Sequence, residues 1–251
     1  MSTRDHAARM RAFEKTFDHA IQPGQYVVAR LDGRGFSKLT REQGFHHPFD
    51  PAFRTGMVHA TRHLMDCGPQ MALGYTHSDE ISLLLHPNCW AFGRRSSKLL
   101  SVLAGEGSAA LSLKMGFAAV FDCRLSLLPT RALTVEYFRW RIADSVRNSV
   151  QAHALQALRQ AGHSARDAAR RLTGLKTAEL RALAGLPASD TAAPTHVEHP
   201  GVGLWWMDVA RSGPPTRPPA TRRQLQVEAQ LPSGEACDAW LLERIPPLNK
   251  G

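Results

Sequence analysis

The chain has no CxxC pair, no HExxH and no Cys/His finger spacing. Its four cysteines, Cys67, Cys89, Cys123 and Cys237, stand far apart. A disulfide framework and a structural zinc site are therefore excluded as organising devices, and the pattern fits a reduced, cytoplasmic protein. There is no long apolar run either. The longest apolar-leaning stretch, Leu99–Phe121, is broken by Glu106 and Lys114, so no membrane span is expected. The first residues include Arg4, Asp5, Arg9, Arg11, Glu14 and Lys15, which leaves no apolar leader core. No internal repeat is present. Acidic residues are in deficit: 22 Asp and Glu against 31 Lys and Arg, a net charge of +9. That balance favours a polyanionic partner, nucleic acid first. An Arg-rich excess suits phosphate recognition.

What is present begins with Tyr26–Ser37, YVVARLDGRGFS. An apolar run with Val27 and Val28 reads as a buried strand. Asp32 follows at once, and then Gly33-Arg34-Gly35 allows a tight turn whose amides can face an anion. Ala72–Leu85, ALGYTHSDEISLLL, places Ser78-Asp79-Glu80 between two short apolar runs. If both strands share a sheet, Asp32 and Asp79 share a site. Paired carboxylates beside a phosphate-cradling turn are the equipment of two-metal nucleotidyl transfer. Hard oxygen ligands for Mg²⁺ would come from Asp32, Asp79 and the Gly33 carbonyl. Each motif alone has a plain alternative, since DGxG turns and acidic hairpin turns are common; the joint pattern carries the argument.

Periodicity predicts a helix over 3–19 with Met10, Phe13 and Phe17 on one face, and a strand over 26–31. A helix from Asp50-Pro51 to about Met65 follows. Met71–Tyr75 and Ile81–His86 form a hairpin. Asn88 would cap a helix over Cys89–Gly105, and a strand covers Asp122–Leu128. The order β-α-β-β-α-β is the ferredoxin-like split motif, an α+β palm. Thr134 would cap a long helix to Gln160; Ser164 would open a second, and Thr177–Ala184 is a third. Residues 187–201 read as a loop. Val202–Val209 and Leu225–Leu231 form a hairpin around the proline-rich Pro214–Pro219 and a basic loop at Arg217, Arg222 and Arg223. The reading divides the chain into an N-terminal helix plus palm, 1–130, and a helical extension with a C-terminal hairpin, 131–251, packed as one unit. Arg94, Arg95 and Lys98 read either as a solvated helix face or, at Lys98, as a triphosphate partner. Trp205 and Trp206 alternate faces, with core packing expected for both. His46-His47 and His196 to His199 are expected as loop residues.

Together, RMRAFE, VVARLDGRGFSKL, HPFDPAF, GYTHSDEISLLL, FGRRSSK, FDCRLSLLP and YFRWRIADSVRN resemble the tRNA-His guanylyltransferase family, including its 3′–5′ tRNA-repair polymerases. The resemblance covers most of residues 10–185. It implies a polymerase-like palm, often tetrameric, that adds nucleotides to the 5′ end of tRNA. ATP or GTP activates the 5′ monophosphate, and the 3′-hydroxyl of an incoming nucleotide attacks the activated end. By matching position, Asp32, Gly33 and Asp79 would hold two Mg²⁺ with Glu80 in support. Gly33, Arg34, Gly35, Phe36 and Ser37 would hold a triphosphate. Ser78 and Lys98 would contact phosphate, Arg30 would assist, and Asn148 would position a nucleotide. The chain departs from guanylyltransferases proper in three places. Ser37 stands where they carry His, Val146-Arg-Asn-Ser149 replaces a HINN-like block, and His47 replaces a Lys. The expectation is therefore a template-dependent 3′–5′ nucleotidyltransferase repairing truncated tRNA. The alternative is addition of the extra 5′ G to tRNA-His, and a remote one is a non-catalytic tRNA-binding palm.

Overall fold

The computed structural model describes residues 3–187, 201–210 and 221–248. Fourteen named elements follow in chain order. They are α1 (Thr3–Glu14), β1 (Tyr26–Gly33), α2 (Phe36–Glu42), α3 (Pro51–Asp66), β2 (Met71–His77), β3 (Glu80–Leu85) and α4 (Ser96–Met115). Then come β4 (Phe121–Leu128), α5 (Arg131–Gln160), α6 (Ala165–Leu172), α7 (Thr177–Leu183), β5 (Val202–Ala210), β6 (Thr221–Glu228) and α8 (Gly234–Arg244). The strands form one sheet in the order β4-β1-β3-β2-β5-β6, and every neighbouring pair is antiparallel. The first four strands make the expected split motif. The hairpin β5-β6 extends the same sheet through β2, with Leu73 opposite Trp205 and Thr76 opposite Val202.

Alternation along β1 decides which face each residue serves. Val27, Ala29 and Leu31 enter a core with Met57 and Leu64 of α3 and Leu99, Leu103 and Leu111 of α4. Tyr26 and Val28 enter a second core with Tyr75, Leu84, Val135, Phe138 and Ile142, closed by Leu241 of α8. The sheet is thus covered on both faces. A third cluster joins Val150, Ala154 and Leu158 of α5 to Leu172 of α6 and Leu180 of α7.

Several local expectations hold. Asp50 caps α3, its side chain accepting from the amides of Ala52 and Phe53, with Pro51 at the first helical position. Ser164 caps α6 by accepting from Asp167. Trp205 and Trp206 go to opposite faces, each packed against a core.

Others need correction. The first helix stops at Glu14 rather than residue 19, and Met10, Phe13 and Phe17 stay 39, 66 and 84% exposed, so that stripe does not enter the core. The helix does not start at Asn88: Phe92, Gly93 and Arg94 all have positive φ, and the helix starts only at Ser96, with Arg95 at its N-cap. The long helix is capped by Thr130, whose hydroxyl accepts from Leu133, while Thr134 is buried one turn on. The helices α2 and α8 were not anticipated. Most of the expected 187–201 loop, His196 to His199, Pro214–Pro219 and Arg217 lie outside the described residues.

Candidate active site at the end of the palm strands

Asp32 closes β1 on the face shared with α5. It lies opposite Glu80 on β3 and Asp122 on β4. Like charges facing each other across an antiparallel pair are destabilising, and a cation stands beside each of the three. Arg141 of α5 grips Glu80 with both ends of its guanidinium, Nε to Oε1 at 2.8 Å and Nη2 to Oε2 at 2.7 Å. Arg30 adds a contact to Glu80 at 3.7 Å. Arg141 also reaches Asp144 at 3.2 Å, and Asp144 in turn holds Arg147 and the Asn148 amide. On the other side, Arg124 stands 3.3 Å from Asp122 and 3.7 Å from Asp32.

The fourth carboxylate comes from the β2-β3 turn. His77 pairs with Glu80, so Ser78 and Asp79 form a two-residue hairpin loop. Ser78 has φ +50, a left-handed conformation unusual for a residue with a side chain. The Gly33 amide donates to the Asp79 carbonyl at 3.0 Å, which ties this turn to the end of β1. No ion pair reaches the Asp79 carboxylate among the described residues. Burial lifts its pKa above the ordinary value, and the charge of Asp32 lifts it further. Burial also raises Glu80, against the pull of Arg141 and Arg30.

The glycine turn is more constrained than the sequence suggests. A Cβ on Gly33 would lie 2.5 Å from the ring of Phe36. That ring is buried and packs against Phe53 and Phe121 at 5.9 and 5.2 Å between centroids. Gly33 is therefore required by the ring beneath it. Two of the expected phosphate-facing amides are already engaged: Gly33 with Asp79, and Arg34 with the carbonyl of Val120 at 2.8 Å. The amides of Gly35, Phe36 and Ser37, at the left-handed cap and first turn of α2, have no protein acceptor among the described residues. The cradle is thus narrower than Gly33–Ser37.

Beside Asp79 opens a cavity of about 210 Å³ between α2, the 45–50 loop, the start of α3 and the hairpin. Phe36, Phe45, Phe49, Phe53 and Met57 form apolar walls. Ser37, Ser78 and Asp79 also line it, as does His77. His77 is 7% exposed and its Nε2 is buried with no partner. Burial, aided by Arg141, holds its pKa down at about 4, so the ring is neutral at physiological pH.

Of the residues expected from sequence, Arg30, Asp32, Gly33, Arg34, Gly35, Phe36, Ser37, Ser78, Asp79 and Glu80 gather at this end of the sheet. Asn148 joins indirectly through Asp144. Lys98 does not join within this chain. It is exposed in the first turn of α4, which starts beside Ala20 and Ile21. Ser108, which bonds the Phe121 amide next to Gly33, is reached only ten residues later, roughly 15 Å along the helix. Arg141, Arg124, Asp122 and His77 were missed, because their roles come from register and from a helix that returns across the sheet.

Residues 7–129 match the family model "tRNAHis guanylyltransferase", Thg1. The match covers 123 of the 251 residues, so it is the palm stretch that is similar to this family. A tRNA(His) guanylyltransferase of Debaryomyces hansenii is 31% identical over 146 residues, covering 54% of each chain. A probable tRNA(His) guanylyltransferase of Drosophila melanogaster is 31% identical over 143 residues, covering 54% of this chain and 49% of its own. The chain thus spans about half the length of the curated relatives it matches. A bacterial Thg1-like protein in complex with ATP superposes with a TM-score of 0.70 at 22% identity, covering 96% of this chain and 99% of its own. The tRNA(His) guanylyltransferase of Saccharomyces cerevisiae gives 0.66 at 20% identity, covering 77% and 91%. These likenesses establish the Thg1 palm fold.

The Thg1 fold and the carboxylate pair raise the question of a metal. Among the described residues no three His, Cys, Asp or Glu side chains are grouped to hold one. The protein offers fewer ligands, as Mg²⁺ sites completed by substrate phosphates and water do. Asp79, buried, next to a like charge and with no cation against it among the described residues, is the electrostatic deficit a dication would fill. The residues present fit such an ion.

Proposed function

We propose that this chain is a nucleotidyltransferase acting on the 5′ end of tRNA. The observation that carries the reading is Asp79, which lines an aromatic-walled cavity and lies within the electrostatic reach of Asp32 at the end of β1. The nucleoside triphosphate, ATP or GTP, seats its base in that cavity. Its phosphates face the amides of Gly35 to Ser37 and the hydroxyl of Ser78. Asp32 and Asp79, with the Gly33 carbonyl, would hold Mg²⁺, which when bound supplies charge neutralisation for phosphoryl transfer. Arg141 fixes Glu80 beside that pair by engaging both of its oxygens, so Glu80 acts as a positioning residue. The net charge of +9 supplies the attraction for RNA.

The names of the relatives support addition of a guanylyl residue to tRNA(His) more directly than repair. A second reading, template-dependent 5′ repair, is favoured by three positions in this chain: Ser37, His47 and Val146 to Ser149. Incubation with Mg²⁺, each NTP separately, and either full-length tRNA(His) or a tRNA truncated at its 5′ end tests both. Extension of neither substrate removes the enzymatic reading. Preference for full-length tRNA(His) with GTP selects guanylylation. Preference for the truncated tRNA, with the added base following the opposing strand, selects repair.

A further inference from the structure

We infer that Asp122 is a positioning residue that keeps Arg124 from closing on Asp32, an inference that rests on the reading of Asp32 as a cation ligand. The register sets two ranks of side chains across the α5 face of the sheet. Glu80, Asp32 and Asp122 stand side by side on β3, β1 and β4. Two residues back along each strand, on the same face, come Ser82, Arg30 and Arg124. Like charges directly opposite repel, so the two arginines part. Arg30 leans to Glu80 at 3.7 Å. Arg124 leans forward between the other two acids. One nitrogen, Nη2, serves both, at 3.3 Å from Asp122 and 3.7 Å from Asp32.

The three acids are not neutralised alike. Glu80 has both ends of Arg141 as well as Arg30. Asp122 accepts a hydrogen bond from Arg124. Asp32, in the middle of the rank, has only the longer contact to the same nitrogen, so it keeps charge for a dication. The Arg124 and Asp122 side chains are 54 and 57% exposed, which leaves the guanidinium free to turn. β4 carries no second acid. Without a carboxylate at position 122, Asp32 becomes the nearest anion to Arg124, and a guanidinium and a dication then compete for one carboxylate. Asp122 thus acts on the cation site through Arg124, with no need to touch the ion.

The test measures ion binding rather than turnover. Mn²⁺ takes the same carboxylate and carbonyl ligands as Mg²⁺. It is titrated alone into the wild type, Asp122→Asn, Arg124→Gln and the double variant, and the bound ion is read by electron paramagnetic resonance. Asp32→Asn marks the ions held elsewhere on the protein. Asp122→Asn is expected to weaken Mn²⁺ by about fivefold, the upper range for an exposed ion pair, and Arg124→Gln to tighten it by about twofold. In the Arg124→Gln background the Asp122→Asn loss is expected to vanish, because the cation that it releases is gone. A charge at position 122 acting directly on the ion would instead weaken Mn²⁺ equally in both backgrounds, and that result would overturn the inference. So would an unchanged affinity in Asp122→Asn or a weakened one in Arg124→Gln. Wild-type Mn²⁺ binding equal to that of Asp32→Asn would overturn the underlying reading as well. It is distinguished from the other failures because in those Asp32→Asn still loses the ion.

Discussion

Arg141 and Glu80 meet through two parallel hydrogen bonds of 2.8 and 2.7 Å between a helix and a strand that are 61 residues apart in the chain. Their side chains are only 7 and 12% exposed. Breaking such a pair leaves a buried charge without compensation, which costs about 3–5 kcal/mol. Arg141→Met is therefore expected to lower the unfolding free energy by about that amount. Arg141→Met combined with Glu80→Leu should cost less than Arg141→Met alone. Urea denaturation of the three proteins measures the coupling. If the double variant is the least stable of the set, the pair is not the buried unit described.

Gly33 is held to its identity by the ring of Phe36, 2.5 Å from where a Cβ would sit. Overpacking of this kind costs about 1–3 kcal/mol. Gly33→Ala is expected to lose stability in that range and to displace the turn that carries Gly35 to Ser37. Thermal melts read the first effect and nucleotide affinity the second.

Asp79 gives a sign that separates a metal-binding carboxylate from a structural one. Its folded pKa is raised, by burial first and by Asp32 next. A raised carboxylate favours the fold only below its unfolded pKa, and that contribution is lost as pH rises through the folded value. At pH 8 without metal, Asp79→Asn should therefore melt higher than the wild type. Mg²⁺ with nucleotide should then raise the wild-type melting temperature and leave Asp79→Asn unmoved, since ligand bound to the native state stabilises by mass action. Nucleotide addition should be abolished in Asp79→Asn and in Asp32→Asn, with tRNA binding retained.

The four palm strands and α3 were legible because their signals are local: alternation in YVVARL, the Asp50-Pro51 cap, and glycines that end strands. The pair of Asp32 and Asp79 was legible for the same reason, each acid standing at the end of an apolar run. What surrounds them was not. Arg141 sits in a helix whose polar residues have no local sign of which one turns inward, and Arg124 matters only once β4 is in register with β1. The helix α2 hid behind a turn read as irregular, because a left-handed Gly35 serves equally as a loop residue and as a helix cap. Lys98 was offered to the phosphates by its charge and by resemblance, whereas α4 begins beside Ala20 and Ile21, ten residues before Ser108 meets the Phe121 amide.

Asp50 offers a pH-dependent test of the α3 start. Burial works against its charge, but the amides of His46, Phe53 and Ala52 outweigh it, and its carboxyl sits below the ordinary range. A depressed carboxylate contributes stability above its unfolded pKa and loses it as pH falls through the folded one. Asp50→Ala should cost about 1 kcal/mol at pH 7, and the gap to wild type should close below the ordinary carboxylate pKa of 3.8. A gap that persists in acid would place the effect in packing rather than in the cap.

Lys98 provides the sharpest contrast between resemblance and geometry. Within one chain it cannot reach a triphosphate held at Gly35 to Ser37, since most of the length of α4 separates its turn from Ser108 and the Phe121 amide. In a monomeric preparation, Lys98→Ala should leave ATP and GTP affinity within about twofold of wild type, because exposed charges at that range are largely screened at 0.15 M salt. Equilibrium binding across a dilution series measures this. A loss confined to concentrations at which the protein self-associates would mean that Lys98 serves the site of a second copy. A loss that persists in the monomer would contradict the path of α4.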